Sequence, residues 1–99
     1  MFLLFLFSLI MSVFVYVLES LKDGIHYVGM SENTEIRLKQ HNQGKTKFTK
    51  GHIPWVLVHQ EEYLNFMEAR KREKYLKSAA GRRWTKKNVN FGNRGSLPD

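Results

Sequence analysis

The residue whose position most clearly needs a chemical explanation is Glu73. It lies in a segment, residues 68–77 (EARKREKYLK), that is basic almost throughout. On a helical period of 3.6 residues it shares a face with four apolar residues: Phe66, Ala69, Leu76 and Ala80. A carboxylate directed toward a core is unfavourable unless it is paired with a cation or binds a metal. Glu73 is therefore either half of a salt bridge at the core edge or a metal ligand.

Arg37 and His41 form a second candidate pair. They are four residues apart, so they share one face of the helix predicted over residues 34–42. An arginine and a histidine placed in this way can bind a phosphate group. The alternative is a surface histidine near the end of a helix, where a positive charge is favourable in any case. Both interpretations are open at this stage.

Two tyrosines lie on the two arms of a predicted β-hairpin. Residues 13–17 (VFVYV) are β-branched and aromatic, which predicts a strand over residues 12–19 that contains Tyr16. An Asp-Gly pair at residues 23–24 is a strong turn signal. The second strand, over residues 25–30, contains Tyr27 and also Gly29, which predicts a bulge or a close approach by another group.

The remaining elements must hold these residues together. Polar residues 31–34 supply candidate caps for the helix over residues 34–42, Gly44 is placed to end it, and a polar loop follows to residue 52. A third strand is predicted over residues 55–62. A long helix begins at Asn65, with Glu68 completing a capping-box-like pair, and runs to about residue 79. After an interruption at residues 80–81, residues 82–87 are predicted to add a short basic turn of helix.

Composition points to one small basic domain. The chain has 99 residues and a net charge of +7, from 16 Lys+Arg and 9 Asp+Glu. Residues 70–87 hold nine basic residues and one acid, which suits binding to a phosphate backbone but also a solvated helix face. The absence of cysteine excludes a disulfide framework, a thiolate zinc site and a cysteine nucleophile. It is consistent with a reducing compartment, and a cytoplasmic location is expected.

Residues 1–18 are almost wholly apolar, and their length falls in the range of a membrane span. They lack the basic start and clear cleavage site of a secretory signal. If residues 12–19 form a core strand, the first ten residues are too few to cross a bilayer. Residues 1–11 are therefore predicted to be an apolar extension, either dispensable or an artefact of start-site choice with Met11 as the true start. The folded domain is predicted over residues 12–87, followed by a disordered tail over residues 88–99.

In order and spacing these elements resemble the GIY-YIG endonucleases, in particular their small single-domain bacterial members. The first signature element is Val15-Tyr16-Val17, with valine in place of the family's glycine, and the second is Tyr27-Val28-Gly29. Residues 35–42 resemble the family's arginine-containing helix. Residues 69–77 resemble the segment that carries its metal-binding glutamate. The resemblance covers about residues 14–87.

The resemblance implies an α+β fold, a three-stranded antiparallel sheet flanked by helices in the order β-β-α-β-α, with a possible further helix. It implies hydrolysis of phosphodiester bonds in DNA, in DNA repair or processing. Glu73 would be the only protein ligand of a Mg²⁺ or Mn²⁺ ion that otherwise keeps its waters and takes a phosphate oxygen, which suits a hard cation.

The resemblance also implies a role for each remaining site residue. Tyr27 would accept the proton of the nucleophilic water, and Tyr16 would support the site by hydrogen bonding. Arg37 would stabilise the charge of the transition state, and His41 would bind a phosphate oxygen or assist proton transfer.

One departure from the family pattern concerns the general base. The pKa of an unperturbed tyrosine is near ~10, so Tyr27 needs help from a neighbouring cation or the metal. Some family members have a lysine just after the second motif, where this chain has Met30 and Ser31.

Five cations are expected to contact phosphates: Lys45, Lys47, Lys50, Arg70 and Lys74. The DNA partner could be branched, damaged or single-stranded, and RNA is also compatible with the sequence. Two alternatives remain, a nucleic-acid-binding module without catalysis and a small membrane protein anchored by residues 1–18. Sequence preference and oligomeric state are not readable from the residues.

Overall fold

The computed structural model describes residues 12–89. The predictions for residues 1–11 and for the tail beyond residue 89 therefore lie outside the described residues. The strands are β1 (Val13–Ser20), β2 (His26–Ser31) and β3 (Trp55–Tyr63). The helices are α1 (Thr34–Asn42), α2 (Phe66–Leu76) and α3 (Ala79–Asn88), with a 3₁₀ turn at Thr49–His52. The α+β order is the predicted one, and the possible further helix is present as α3.

The three strands form one antiparallel sheet in the order β2-β1-β3, as predicted. Seven of the eight residues of the central strand β1 are buried. This explains why its sequence is continuously apolar rather than alternating, since both of its faces are covered. Tyr16 is paired with Gly29, and Leu18 with Tyr27. Because paired residues point to the same side of a sheet, both tyrosines lie on one face.

Each face of the sheet has its own apolar cluster. On the tyrosine face, Tyr16, Leu18 and Trp55 pack with Leu38 of α1. On the opposite face, the core consists of Val13, Val15 and Val17 of β1 with Ala69 and Leu76 of α2, and Trp84 of α3 packs against it. The helix that carries Glu73 therefore packs on one face of the sheet, and the two hairpin tyrosines lie on the other face.

Gly29 is where the predicted close approach occurs. A Cβ atom built at this position would lie 2.5 Å from the phenolic oxygen of Tyr16. A side chain at residue 29 would therefore displace the Tyr16 ring. The irregularity in strand pairing lies elsewhere, between Val17 and Leu18 against β3.

The bounds of α1 were predicted correctly, whereas the end of α2 and the bounds of α3 were not. The side chain of Asn65 accepts a hydrogen bond from the backbone N–H of Glu68, so the predicted start of α2 is confirmed. Its end near residue 79 is wrong, because Ser78 caps a separate helix by accepting a hydrogen bond from the N–H of Gly81. The short turn predicted for residues 82–87 is part of the ten-residue helix α3. Asn88, predicted to begin the tail, ends this helix, and Val89 is buried.

A charged network fixes α2 against β3. The Nε and Nη2 atoms of Arg72 donate hydrogen bonds to the two carboxylate oxygens of Glu61, at 2.9 and 3.1 Å. Burial alone would raise the pKa of Glu61, but hydrogen bonds from Arg72, His59 and Tyr63 outweigh it and lower that pKa to about 2. The Arg72 guanidinium also lies 4.5 Å from the ring centroid of Trp84. These contacts set the rotation of α2, and with it the direction of the next residue, Glu73.

The apolar run at residues 1–18 is not one continuous membrane helix, since its last six residues belong to β1. Among residues 12–89, no helix has both the length and the apolar character needed to cross a membrane.

Candidate active site

A buried hydrogen-bonded chain connects four elements on the tyrosine face: β1, α1, the 3₁₀ turn and β3. His41, at the end of α1, is fully buried. Its Nε2 lies 3.0 Å from the phenolic oxygen of Tyr16, and its Nδ1 lies 2.8 Å from Oγ1 of Thr49. Thr49 is also fully buried, and its carbonyl accepts a hydrogen bond of 2.8 Å from the indole of Trp55. The interpretation of His41 as a surface histidine is therefore wrong.

Burial also sets the protonation states of this chain. It acts together with the nearby Arg37 charge to lower the pKa of His41 to about 4, so the imidazole is neutral near pH 7. Burial raises the pKa of Tyr16 to about 12, so its phenol stays protonated. The consistent arrangement has the phenol donating to Nε2 and Nδ1–H donating to Thr49, whose hydroxyl donates to the carbonyl of Thr46 at 3.4 Å. Both ring nitrogens of His41 are thus used by protein partners.

The lowered pKa of His41 makes stability depend on pH. Between about pH 6.5 and pH 4 the unfolded chain binds a proton that the folded chain does not, so stability should fall as pH falls through this window. The loss attributable to His41 between pH 7 and pH 4.5 should be about 2 kcal/mol. Urea unfolding of wild type and His41→Gln at both pH values measures it. Wild type should lose more stability than the variant over this interval, and equal losses would contradict a buried neutral imidazole.

Tyr27 is the more accessible tyrosine of the pair. It is half-buried, and its ring centroid lies 4.9 Å from that of His41 and 6.4 Å from that of Tyr16. Its outer side is stacked on Phe48, with ring centroids 6.3 Å apart and an interplanar angle of 26°. Tyr27 also lines a cavity of about 220 Å³ together with Lys77. The side chain of Tyr27 is thus more accessible to a substrate than that of Tyr16, which is only 2% exposed.

Arg37 lies beside both buried groups. Its charge contributes to lowering the pKa of His41, and it opposes the rise in the pKa of Tyr16. Its Nη1 donates a hydrogen bond of 2.8 Å to Oε1 of Gln40, which holds the guanidinium along α1. Only part of the side chain is exposed. The structure therefore brings Arg37, His41 and both tyrosines together, as the sequence spacing suggested.

Glu73 is buried on α2 and paired within its own helix. Its side chain is 9% exposed, with Oε1 accepting from Arg70 at 2.9 Å and Oε2 from Lys77 at 3.1 Å. The salt-bridge interpretation thus describes the contacts in this structure. Both partners are more than half exposed, so each can turn into solvent and leave the carboxylate to another cation. The Glu73 charge contributes to the raised pKa of Tyr16, which brings α2 within electrostatic range of the tyrosine face.

The chemistry of this carboxylate fits a hard divalent cation. Carboxylate oxygen is a preferred ligand type for Mg²⁺, which commonly takes only one or two protein carboxylates and keeps several waters. Within residues 12–89 there is no group of three or more His, Cys, Asp or Glu side chains placed to hold a metal. A cation at Glu73 would therefore have at most one further His, Cys, Asp or Glu ligand among these residues.

The five predicted phosphate-contacting cations fall into two groups. Lys45, Lys47 and Lys50 are exposed around Phe48, on the side of the sheet that α1 covers. Arg70 and Lys74 belong to α2, where they line a shallow groove with Phe66 and Met67. Polyanion binding by both groups would bracket the site from two sides.

The sequence interpretation missed three residues that shape the site. Thr49 holds the imidazole of His41, Phe48 stacks on Tyr27, and Lys77 pairs with Glu73. Phe48 carried a usable signal, as the one large apolar residue in a lysine-rich loop. Thr49 carried none, since its partner is eight residues away and its role depends on how the loop folds over α1.

Comparison with known proteins identifies the family of the chain. The family model described as the GIY-YIG catalytic domain matches residues 12–88. The chain therefore belongs to the GIY-YIG family of nucleases.

Within that family the chain is similar to UPF0213 proteins. It is 41% identical over 66 residues to one from Staphylococcus haemolyticus, covering 66% of this chain and 79% of the relative. It is 43% identical over 65 residues to one from Clostridium perfringens, covering 65% and 69% respectively. The solution NMR structure of a UPF0213 protein from Bacillus halodurans superposes with a TM-score of 0.53 at 29% identity, covering 88% of this chain and 95% of that one.

Proposed function

We propose that this protein is a metal-dependent endonuclease that hydrolyses phosphodiester bonds in DNA. The observation that carries the proposal is the convergence of charged and phenolic groups around Tyr16. Tyr27, Arg37 and Glu73, from three different elements, all lie near enough to shift its pKa. A site that combines a phenol, a guanidinium and a carboxylate supplies the groups that phosphodiester hydrolysis requires.

The two tyrosines take different roles in this proposal. Tyr27, in its phenolate form, accepts the proton of the attacking water, because it is more accessible than Tyr16 and stacks on Phe48 beside the buried network. Tyr16 remains protonated and is oriented by its hydrogen bond to His41. His41 acts here as a positioning residue, since the buried imidazole reaches the substrate only through Tyr16. Arg37 stabilises the charge that develops on the phosphate oxygens.

Glu73 is the proposed metal ligand, for Mg²⁺ or Mn²⁺. When bound, the ion would supply Lewis acidity and orient the leaving group. Arg70 and Lys77, which pair with Glu73 in this structure, would then turn toward the phosphates of the substrate. Lys77 lines the same cavity as Tyr27 and is proposed to replace the lysine that follows the second motif in some family members.

A nuclease screen tests the proposal. The full chain is incubated with duplex, branched, damaged and single-stranded DNA and with RNA, in Mg²⁺, Mn²⁺ or EDTA, beside Glu73→Ala. Cleavage by wild type that requires the metal and Glu73 supports an endonuclease. Binding with equal inactivity of both proteins under every condition would instead identify a non-catalytic nucleic-acid-binding module. A cytoplasmic role in DNA repair or processing is part of the proposal and is consistent with a chain without cysteine.

DNA affinity should fall steeply with salt. If Lys45, Lys47, Lys50, Arg70 and Lys74 each neutralise one phosphate, these five contacts together should contribute about −4.5 to the slope of log K against log salt on duplex DNA. Lys47→Ala should reduce the slope by about 1, without changing any preference for sequence. Lys39→Ala, which removes an exposed lysine from α1, is the control and should leave the slope unchanged. A flat dependence for wild type would rule out backbone binding by this surface.

A further inference from the structure

An exposed aromatic side chain lies beside the proposed general base. Phe48, in the loop that leads into the 3₁₀ turn, is 54% exposed. Its ring centroid lies 6.3 Å from that of Tyr27, at an interplanar angle of 26°, and 5.0 Å from that of His52. One exposed apolar side chain is ordinary on a protein surface and does not define a site. The backbone around Phe48 and the charges beside it distinguish this residue.

The loop holds Phe48 in a fixed position. The next residue, Thr49, is fully buried, and its Oγ1 lies 2.8 Å from Nδ1 of His41. The carbonyl of Thr49 accepts a hydrogen bond of 2.8 Å from the indole of Trp55. Stacking on Tyr27 then restricts the ring of Phe48 itself. A side chain that is ordered before binding loses less conformational entropy when a ligand packs against it.

The same loop is strongly basic. Residues 43–52 contain three lysines and no acid. Lys45, Lys47 and Lys50, which lie within three residues of Phe48 in the sequence, are all exposed. Surfaces that bind single-stranded nucleic acid combine two features: cations that follow the phosphate backbone, and aromatic side chains on which bases stack. A fixed, exposed phenylalanine among lysines provides both.

An aromatic side chain of this kind distinguishes single strands from duplexes. Inside a double helix, both faces of each base are covered by the neighbouring base pairs. A phenylalanine on a loop could contact them only by unstacking the duplex, which is energetically unfavourable. An unpaired base, at a single-stranded end, gap or branch, leaves a face open for stacking. Phe48 therefore favours a strand that contains unpaired nucleotides.

We propose that Phe48 stacks on an unpaired base of the nucleic-acid substrate, next to the bond that is cleaved. Lys45, Lys47 and Lys50 bind the phosphates of the same strand, and Tyr27 lies beside Phe48 at the cleaved bond. The preferred substrate is thus DNA with a single-stranded segment rather than an uninterrupted duplex. The position beside the cleaved bond rests on the proposed nuclease function, whereas recognition of an unpaired base does not.

The affinity of the full chain for two strands tests the stacking. Fluorescence anisotropy in EDTA, where no cleavage occurs, compares an oligothymidylate with an abasic strand of the same length. The oligothymidylate should bind at least about fivefold more tightly, because one stacked base contributes at least that factor. Both strands carry the same phosphate charge, so equal affinities would show general attraction to a polyanion and would overturn the proposal. This comparison uses wild type alone, so it does not depend on the folding of a variant.

Two exposed phenylalanines provide a matched control. Phe48→Leu should weaken binding of the oligothymidylate by about fivefold or more, and should leave binding of the abasic strand and of a duplex unchanged. Phe48→Tyr, which keeps an aromatic ring, should retain the affinity. Phe66→Leu makes the same change at a phenylalanine that is 60% exposed at the start of α2, and it should bind like wild type. Equal losses in Phe48→Leu and Phe66→Leu would overturn the assignment of the stacking residue.

Salt dependence and NMR separate stacking from charge. Stacking releases no counterions, so Phe48→Leu should lower the affinity for the single strand without changing the slope of log K against log salt. Lys47→Ala, by contrast, should reduce that slope. Nuclear Overhauser contacts are expected between the ring protons of Phe48 and the protons of a thymine base. A change of slope in Phe48→Leu, or thymine contacts confined to other surfaces, would contradict stacking on Phe48.

Cleavage of a strand with one abasic site tests the position of the stacked base. In Mg²⁺ or Mn²⁺, cuts should be suppressed at the bonds next to the abasic site and normal elsewhere. Uniform cleavage along the strand would overturn the placement beside the cleaved bond. If the metal-dependence screen finds no cleavage, that placement fails with the nuclease function, but the measurements in EDTA still decide whether Phe48 recognises an unpaired base. A chain that cleaves DNA but shows no preference for the oligothymidylate would retain the nuclease function and lose this proposal.

Discussion

Replacing Glu73 by glutamine is expected to lower kcat for phosphodiester cleavage by on the order of 10³-fold. The substitution keeps the size of the side chain but removes the charge that would hold a divalent cation, and a metal contributes several kcal/mol to stabilising the transition state. Stability should change by less than about 1 kcal/mol, because the partners Arg70 and Lys77 are more than half exposed and remain solvated. Single-turnover cleavage and urea unfolding measure the two quantities.

Glu68→Gln provides the control for this experiment. Glu68 lies on the same helix, but its side chain is 58% exposed and pairs only loosely with Lys71, at 3.7 Å. It should retain wild-type cleavage and the same dependence on Mg²⁺. If Glu73→Gln cleaves as fast as Glu68→Gln, Glu73 is a structural salt-bridge residue and the metal must be held elsewhere or be absent from the mechanism.

Tyr27→Phe is expected to lower kcat by about 10³-fold, with little change in stability. General base catalysis typically contributes about 10²–10⁴-fold, and phenylalanine preserves the packing against His41 and Phe48 while removing the proton acceptor. Tyr75→Phe is the control, since Tyr75 is an exposed tyrosine on α2 whose hydroxyl makes only a 3.5 Å contact with a backbone carbonyl.

Tyr16→Phe separates the roles of the two tyrosines. It removes the donor to a fully buried imidazole, so it should destabilise the fold by about 1–3 kcal/mol, in addition to any effect on rate. Thermal or urea unfolding of both variants, with cleavage assayed under folded conditions, makes the comparison. If Tyr27→Phe loses stability and keeps its rate while Tyr16→Phe does the reverse, the assignment of base and support is the wrong way round.

The cations around Glu73 link metal binding to substrate binding. Glu73 is surrounded by cations in the sequence, and in this structure two of them are bonded to it. A substrate phosphate would draw Arg70 and Lys77 away from the carboxylate while bringing negative charge toward a bound cation. Binding of the metal and binding of the substrate should therefore each increase the affinity for the other. The metal would displace Arg70 and Lys77 from Glu73 and free them for phosphate, and a phosphate that binds these two cations would free Glu73 for the metal.

Local patterns in the sequence determined most of the fold. The β-branched run at residues 13–17, the Asp-Gly turn and the cap at Asn65 specify nearby backbone structure, so each was readable within a few residues. The error at the end of α2 was one of position. The interruption was predicted at residues 80–81, whereas the helix ends at Leu76 and Ser78, a favoured N-cap residue type, begins the next one.

The candidate residues were also visible in the sequence, as was their similarity to a known family. Tyr16, Tyr27, Arg37 and Glu73 stand out because their types are reactive and their order along the chain is distinctive. The burial, hydrogen bonding and protonation of these residues were not visible in the sequence. From the sequence His41 could be a surface histidine or a site residue, and only burial against Tyr16 and Thr49 makes it a neutral positioning group.

For the basic segment around Glu73, residue types and spacing were likewise visible in the sequence, but contacts were not. The sequence alone determined that one acid faces the core among many cations. Tertiary structure alone decided that this acid is paired with Arg70 and Lys77 and that it lies within electrostatic range of Tyr16. The physical reason is that side-chain type and helical period are local properties, whereas burial, protonation and cavities arise from contacts between segments far apart in the chain.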